Sequence, residues 1–238
     1  MTEFEDEAIV LSTRLHGESG AIVHVLTQEN GVYAAHIAGG ASRRIKSALQ
    51  PGAGVNFRYR ARHADQLGAA TVEASGAGTD VLDDAMALLG LQSACLMTRQ
   101  ALPERERHAG AFHALAALIG AFAVPEIWPA IYVRYEAGLL EELGYGLDLS
   151  ACAVTGSRDD LIYVSPKSAR AVSRQAGEAY RDKLLRLPPF LLSSQGGLGE
   201  GDIVAGLDLT AFFLERYVFH PNNRPLPDVR MRLAQALA

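Results

Sequence analysis

Between Glu29 and Asp65 the sequence holds no aspartate or glutamate, although the 238-residue chain carries 27 acidic side chains and a formal net charge of −5. That gap excludes a uniformly acidic surface. The same window contains Arg43, Arg44, Lys46, Arg58, Arg60 and Arg62, and setting these aside leaves 16 of the 22 basic residues against all 27 acidic ones. An otherwise acidic chain thus carries one basic district. Cysteine is nearly absent: Cys95 and Cys152 are the only two, and neither belongs to a CxxC. A disulfide framework and a metal-finger spacing are both excluded, and a reducing, cytoplasmic setting is expected. Long apolar runs are missing too. The longest, AFHALAALIGAFAV, falls short of the ~20 residues a membrane span needs and carries His113. The acidic start MTEFEDEAIV has the wrong sign for a secretory leader or transit peptide.

With 49% hydrophobic and 21% charged residues, the composition is that of a folded chain rather than a disordered one. Its length suits one large domain or two small ones. The first part reads as five short strands: EAIVLSTR, AIVHVLTQ, VYAAHIAGG, VNFRYRAR and GAATVEAS. Asn30-Gly31 between the second and third is a hairpin signal, since both residue types tolerate the positive φ of a tight turn. The fourth alternates with period two, Val55, Phe57, Tyr59 and Ala61 to one face and Asn56, Arg58, Arg60 and Arg62 to the other. Five strands of this length close most economically into a barrel, which leaves no open edge.

From residue 81 the pattern becomes helical. DVLDDAMALLGLQSACLMTRQAL and HAGAFHALAALIGAF are rich in Ala and Leu, with Asp and Pro marking starts and stops. PEIWPAIYVRYEAGLLEELGYG is a third helix, with Leu139, Leu140 and Leu143 on one side, Glu136, Glu141 and Glu142 largely elsewhere, and Gly144 as terminator. CAVTGSRDDLIYVSPKSARAV predicts a short hairpin. Val204, Leu207, Ala211, Leu214 and Val218 form an amphipathic stripe starting near Asp202, and LPDVRMRLAQAL is a closing helix. The expected architecture is α+β: a five-stranded barrel over residues 1–78, then a mainly α-helical domain over 79–238 with a β-hairpin insertion near 150–175.

The basic residues fall in two places on this plan. Arg43, Arg44 and Lys46 occupy the glycine-bracketed connection between strands three and four. Arg58, Arg60 and Arg62 recur every second residue on one strand face, about 6–7 Å apart, near a nucleic-acid phosphate spacing. A loop and a face of one sign suit a polyanion and predict steeply salt-dependent binding. Phe57 and Tyr59 point away from the arginines into the core, which leaves Tyr33 as the candidate for base stacking. The alternative is a protein-interaction adaptor whose basic barrel binds an acidic partner rather than nucleic acid.

Signals for an enzyme do not assemble. GGLGEGD lacks the Lys-Ser/Thr of a phosphate-binding loop and reads as a linker into the helix near Asp202. His108 and His113 are five apart, poor spacing for two ligands on one helix face. Cys95 sits among Ala94, Leu96 and Met97, where a buried, inert thiol is expected. A hydrolase built on Cys95 or a His/Asp pair is the weakest reading.

Several stretches taken together, EAIVLSTRLHGESGAIVHVLT, AGGASRRIKS followed by LQPG, RYEAGLLEELGYGLDLSAC, LIYVSP, and FFLERYVF with RPLPDVR, resemble the RecO family of recombination mediator and DNA repair proteins. The resemblance spans nearly the whole chain. It implies an N-terminal OB-fold barrel and a helical C-terminal domain, binding of single- and double-stranded DNA, and annealing of complementary strands. It also implies action with RecR in displacing single-strand-binding protein so that RecA can load, without turnover chemistry or cofactor, at the nucleoid. Carried onto this sequence, it places DNA contacts at Arg43, Arg44 and Lys46. It places a site for the acidic C-terminal tail of single-strand-binding protein at Arg134 and Tyr135.

In one respect the chain departs from the family pattern. Many members hold zinc with four cysteines in the hairpin region. Here Cys152 has Thr155 where the next ligand would stand, and ARAVSRQAG contains none. A metal-free hairpin packed around Leu161, Tyr163 and Val164 is expected, where Lys167, Arg170 and Arg174 keep positive charge and Lys167 and Arg170 are further candidate DNA contacts.

Overall fold

The computed structural model describes residues 1–63, 66–75, 81, 83–193 and 196–238, with Arg44 described by its backbone alone. The chain forms two compact units, Met1–Val124 and Pro125–Ala238. The change of composition at residues 76–80, where the boundary between the two expected domains falls, lies outside the described residues.

The first unit is built on five strands: β1 (Thr2–His16), β2 (Gly20–Thr27), β3 (Gly31–Ile37), β4 (Gly54–Ala61) and β5 (Gly68–Ala74). They close into a barrel in the order β1-β2-β3-β5-β4, with β4 returning to β1 and β3 parallel to β5. This is an OB-fold barrel, as expected. Its interior is filled by the period-two residues, Val23, Val25, Ala35, Val55, Phe57 and Tyr59 among them, each at most 1% exposed. Burial of such side chains from water is what holds five short strands together. The acidic N-terminus is the first half of β1, alternating half-buried and exposed up to Glu7. A bulge between Val10 and Ser12 then breaks the alternation, and Val10, in the barrel core, and Leu11 are both buried.

Two details differ from expectation. At Asn30-Gly31 only Gly31 takes a positive φ, +84°, and a Cβ there would meet the Glu106 carbonyl oxygen. Asn30 instead donates from Nδ2 to Asp6 Oδ2 at 2.8 Å, tying the turn to β1. Tyr33 is not a surface ring. It is 9% exposed and wedged 4.9 Å from both Phe4 and Tyr59, so it belongs to the core and cannot stack a base.

Between β3 and β4 lies a single helical turn, α1 (Arg43–Lys46). Two helices complete the unit, α2 (Ala85–Ala101) and α3 (Ala109–Ala121). The Asp84 carboxylate caps α2, accepting from the backbone N–H groups of Met86 and Ala87 at 2.9 and 3.0 Å. Cys95 on α2 is buried against the Val10 carbonyl, and burial pushes its thiol up to about 12, so it is inert as expected.

The second unit packs α4 (Trp128–Glu142) against α7 (Asp202–Leu214). Between them in the chain come β6 (Leu161–Val164), β7 (Ala171–Ser173), α5 (Arg174–Gly177), a 3₁₀ segment Glu178–Lys183, β8 (Leu185–Arg186) and α6 (Pro189–Leu192). The expected hairpin is a three-stranded sheet in the order β7-β6-β8; its third strand, only two residues long, was not anticipated. Helix α7 runs on into a π-helical turn, Glu215–Phe219, and α8 (Asp228–Ala236) follows. The stripe on α7 is displaced from expectation. Gly206, Leu207, Leu209, Thr210, Phe213 and Leu214 are buried, whereas Val204 and Ala211 are half-buried.

Glu136 is the largest departure in this unit. Expected away from the core, it is fully buried on α4 and grips Arg230 of α8, which is 2% exposed. Arg230 Nε donates to Glu136 Oε1 at 2.6 Å and Nη2 to Oε2 at 2.9 Å. Thr210 Oγ1 on α7 also donates to Oε2, at 2.5 Å. Burial weakens the charge on Arg230, but the attraction of Glu136 outweighs it and raises the guanidinium pKa above its ordinary value. Three helices thus meet on one carboxylate.

Candidate nucleic-acid interface

Inward-facing apolar residues on β4 oblige Arg58 and Arg60 to point outward, and Arg62 follows just past the strand; all three are exposed. The acid-free stretch of sequence is nonetheless not an acid-free face. The β1–β4 register sets Glu3 opposite Arg60, Glu5 opposite Arg58 and Glu7 opposite Asn56. Arg58 Nη2 donates to Glu5 Oε2 at 2.9 Å, and its Nε to the same oxygen at 3.1 Å. On the other flank Glu73 of β5 lies opposite Asn56. The uninterrupted basic groove expected from the sequence is therefore corrected: β1 supplies counter-charges that a count along one strand does not include.

Away from β1's acidic half the picture reverses. Following the register outward from Arg60 leads to Ala69 on β5, His36 on β3, Ile22 on β2 and Arg14 on the far half of β1. No carboxylate falls in this band, and its side chains are exposed or half-buried. His16 stands near its end, its ring 5.8 Å from that of His36 and edge-on to it. His24 lies one step along, with Ser12 Oγ 3.2 Å from its Nδ1. Burial, then the positive charges of Arg99 and Arg14, lower its pKa to about 4.

The segment around α1 is anchored at the same end of the barrel. Ala41 N donates to Ser19 O at 3.0 Å and Thr13 Oγ1 to Leu49 O at 2.6 Å, which ties the segment to the β1–β2 hairpin. Leu49 enters the core and Ile45 packs against it, so the turn presents Arg43 and Lys46 to solvent. The Arg44 side chain, part of the same expectation, lies outside the described residues. Arg60, His36 and Arg14 thus lie along one band around the barrel, His16 stands beside its far end, and Arg43 and Lys46 lie on the segment tied to the β1–β2 hairpin there. Arg14, His16 and His36 were missed in the sequence, because only strand register reveals that they lie on or beside the band that runs from Arg60 to the β1–β2 hairpin.

The second unit disperses its candidates. Lys167 and Arg170 lie in the β6–β7 connection, where Lys167 is exposed and Arg170 Nε donates to Asp148 Oδ2 at 3.0 Å. Arg174 is likewise paired with Asp160 at 3.0 Å. Arg134 and Tyr135 do not form one surface. Tyr135 is 2% exposed, 5.9 Å from Tyr132 in the core. Arg134 lines an open recess of about 390 Å³ with Ala137, Gly138, Glu141, Leu147, Leu149 and Leu191. There its Nη2 donates to the carbonyls of Phe190 and Ser193 at the end of α6.

Cys152 is nearly inaccessible, 1% exposed, and accepts from Ser173 N and Oγ at 3.3 and 3.4 Å. Burial opposes its ionisation, but these bonds and those from Thr155 outweigh it and lower the thiol to about 6. Among the described residues no three His, Cys, Asp or Glu side chains come together as a metal site. No described helix is long and apolar enough to cross a membrane.

Comparison with known proteins decides the family. The model for the Recombination protein O N terminal matches residues 1–75, and that for the Recombination protein O C terminal matches residues 82–225. The chain belongs to the RecO family. It is 63% identical over 236 residues to the DNA repair protein RecO of Caulobacter sp. (strain K31), covering 99% of this chain and 97% of that one. It is 60% identical over 237 residues to DNA repair protein RecO of Phenylobacterium zucineum (strain HLK1), covering 99% and 98%. The corresponding protein of Rhodospirillum centenum (strain ATCC 51521 / SW) is 47% identical over 235 residues, covering 97% and 92%. For a RecO-family barrel, the carboxylate-free band that joins Arg60 to Arg14 is the natural candidate for DNA contact.

Proposed function

We propose that this protein is a DNA-repair mediator that binds single- and double-stranded DNA through its barrel and anneals complementary strands without catalytic turnover. The observation that carries the reading is the carboxylate-free band that runs around an OB-fold barrel from Arg60 through His36 to Arg14, with His16 at its end and Arg43 and Lys46 on the segment tied there, in a chain that is acidic overall. OB-folds receive oligonucleotides on the face of their second and third strands and on neighbouring loops; here His36 lies on that face, while Arg14 and His16 flank it on β1, Arg60 on β4, and Arg43 and Lys46 in the β3–β4 connection. Annealing follows from electrostatics. Cations between two phosphate backbones lower their repulsion while the base edges remain free to pair. Arg58 and Arg62 extend this surface, with Arg58 contributing once it exchanges Glu5 for phosphate, and Arg44 is proposed as a DNA contact from the family resemblance alone. Lys167 and Arg170 of the second unit would add contacts of the same kind.

The family resemblance supplies the partners: RecR, the C-terminal tail of single-strand-binding protein, and RecA indirectly, loaded where single-strand-binding protein has been displaced. The recess beside Arg134, walled by Leu147, Leu149 and Leu191, suits an apolar segment that ends in a carboxylate. Tyr135 would act from the core by positioning α4 rather than by touching the tail.

The test is fluorescence anisotropy of a labelled, unstructured oligonucleotide across a salt series, comparing the native protein with Arg43→Ala/Arg44→Ala/Lys46→Ala. Native binding should weaken steeply as salt rises, and the variant should bind less tightly with a shallower slope. No binding by the native protein at low salt would replace this reading with that of an adaptor for an acidic protein.

A further inference from the structure

Helix α4 ends at Gly144, φ +82°, in a paired capping arrangement: Gly144 N donates to Glu141 O at 2.9 Å and Tyr145 N to Leu140 O at 2.8 Å. The backbone of Tyr145 is thereby fixed, and its ring is fixed as well. It lies on the ring of Tyr217 with centroids 5.0 Å apart and planes 5° from parallel. Tyr217 in turn lies on Phe213, 6.0 Å away and at 10°. The ladder begins fully buried at Phe213, passes through half-buried Tyr217 and ends at Tyr145, which is 42% exposed. Tyr217 belongs to the π-helical turn, which also places Arg216 beside the ladder. The Arg216 guanidinium lies 5.4 Å from the Tyr217 centroid and 6.0 Å from that of Phe212, and donates from Nη1 to Pro166 O at 3.0 Å. It is exposed, and Lys167 follows Pro166 directly. The acid after Tyr145 on the chain, Asp148, is already engaged by Arg170.

We propose that the exposed end of this ladder, Tyr145, with Arg216 against the ring beneath it and Lys167 next to the Pro166 that Arg216 holds, is a stacking platform for a nucleobase of single-stranded DNA. The inference rests on the DNA-binding reading above and deepens it. A buried aromatic chain that reaches the surface as a rigid flat face loses no side-chain freedom when a fourth ring is added. The cations alongside match the phosphate that accompanies such a ring, and the ladder carries no carboxylate of its own. Duplex DNA hides its base faces in its own stack, so the platform selects unpaired nucleotides. It engages no base edge and so discriminates little among sequences.

The test compares a labelled oligothymidylate, an abasic strand of equal length and a duplex, each titrated with the native protein, Tyr145→Leu and Tyr145→Trp. Native protein should prefer the base-bearing strand to the abasic one. Tyr145→Leu should weaken binding of the base-bearing strand by about fivefold or more, a single stacking contact, and leave the abasic strand, the duplex and the salt slope unchanged. Tyr145→Trp should bind like the native protein. Its introduced indole should be quenched by the base-bearing strand alone, because the native Trp128 is buried and 2% exposed. If Tyr145→Leu binds every probe like the native protein, or loses affinity equally for base-bearing and abasic strands, the platform is refuted while the barrel reading stands. If the native protein binds none of the probes at low salt, both fall together.

Discussion

Arg58 Nη2 lies 2.9 Å from Glu5 Oε2 across the β1–β4 seam, and both side chains are more than half exposed. A strand whose arginines stand in a row is therefore held partly in check by the acidic half of the strand next to it. An exposed pair of this kind contributes little to stability, so its weight falls on binding, where phosphate and Glu5 compete for one guanidinium.

Glu5→Gln should therefore strengthen DNA binding by about two- to threefold at low salt, with the gain fading as salt screens both competitors. The melting temperature should barely move. Anisotropy titrations at several salt concentrations, beside a thermal melt, check both halves. An unchanged or lower affinity at low salt would mean that Arg58 does not meet the strand.

The Glu136–Arg230 pair makes the opposite case, since both partners are withdrawn from water. Glu136→Gln or Arg230→Met alone should destabilise the second unit by about 3–5 kcal/mol, because each leaves a buried charge without its partner. Replacing both residues by apolar ones, Glu136→Leu with Arg230→Met, should recover much of that loss. Urea denaturation followed by the emission of Trp128, the sole tryptophan and a buried one, reads the second unit directly. A double variant that is no more stable than the worse single one would refute the coupling.

The barrel was legible because its signal is local. Val55, Phe57, Tyr59 and Ala61 alternate with arginines along one strand, and the period survives folding unchanged. The start of α2 at Asp84 and the end of α4 at Gly144 were legible for the same reason, each being a capping residue beside its own helix. What escaped depends on partners distant in sequence. Glu136 and Arg230 stand 94 residues apart, and nothing along α4 distinguishes a glutamate bound for the core from its neighbours Glu141 and Glu142. Glu5 and Arg58 meet only through strand register, and Arg14, His36 and Arg60 fall on one band only through it, so a charge count along the chain both overstated the groove on β4 and missed its continuation. Strand β8, two residues long, is too short to show any period. The Tyr145–Tyr217 stack joins a helix end to a π-helical turn and left no trace in either stretch alone.

His24 links the basic face to pH. Its folded-state pKa is about 4, against 6.5 for the free side chain, because burial and then Arg99 and Arg14 disfavour the imidazolium. The sign follows from which state takes the proton. Above pH 6.5 neither state is protonated at this position and the contribution to stability is complete. As pH falls from 6.5 toward 4 the unfolded chain binds a proton that the folded chain refuses, so the folded state loses stability across that window. Below about 4 both states are protonated and the loss levels off. The partial exposure of the ring makes the loss smaller than that of a fully buried histidine. His24→Gln, which has no imidazole to titrate, should flatten this part of the stability–pH curve, and Arg99→Gln should reduce its slope by relieving one of the charges that His24 faces. Denaturant midpoints for the three proteins at pH 7, 6 and 5 decide the matter. Parallel curves for native protein and His24→Gln would show that the loss of stability in acid arises at other groups.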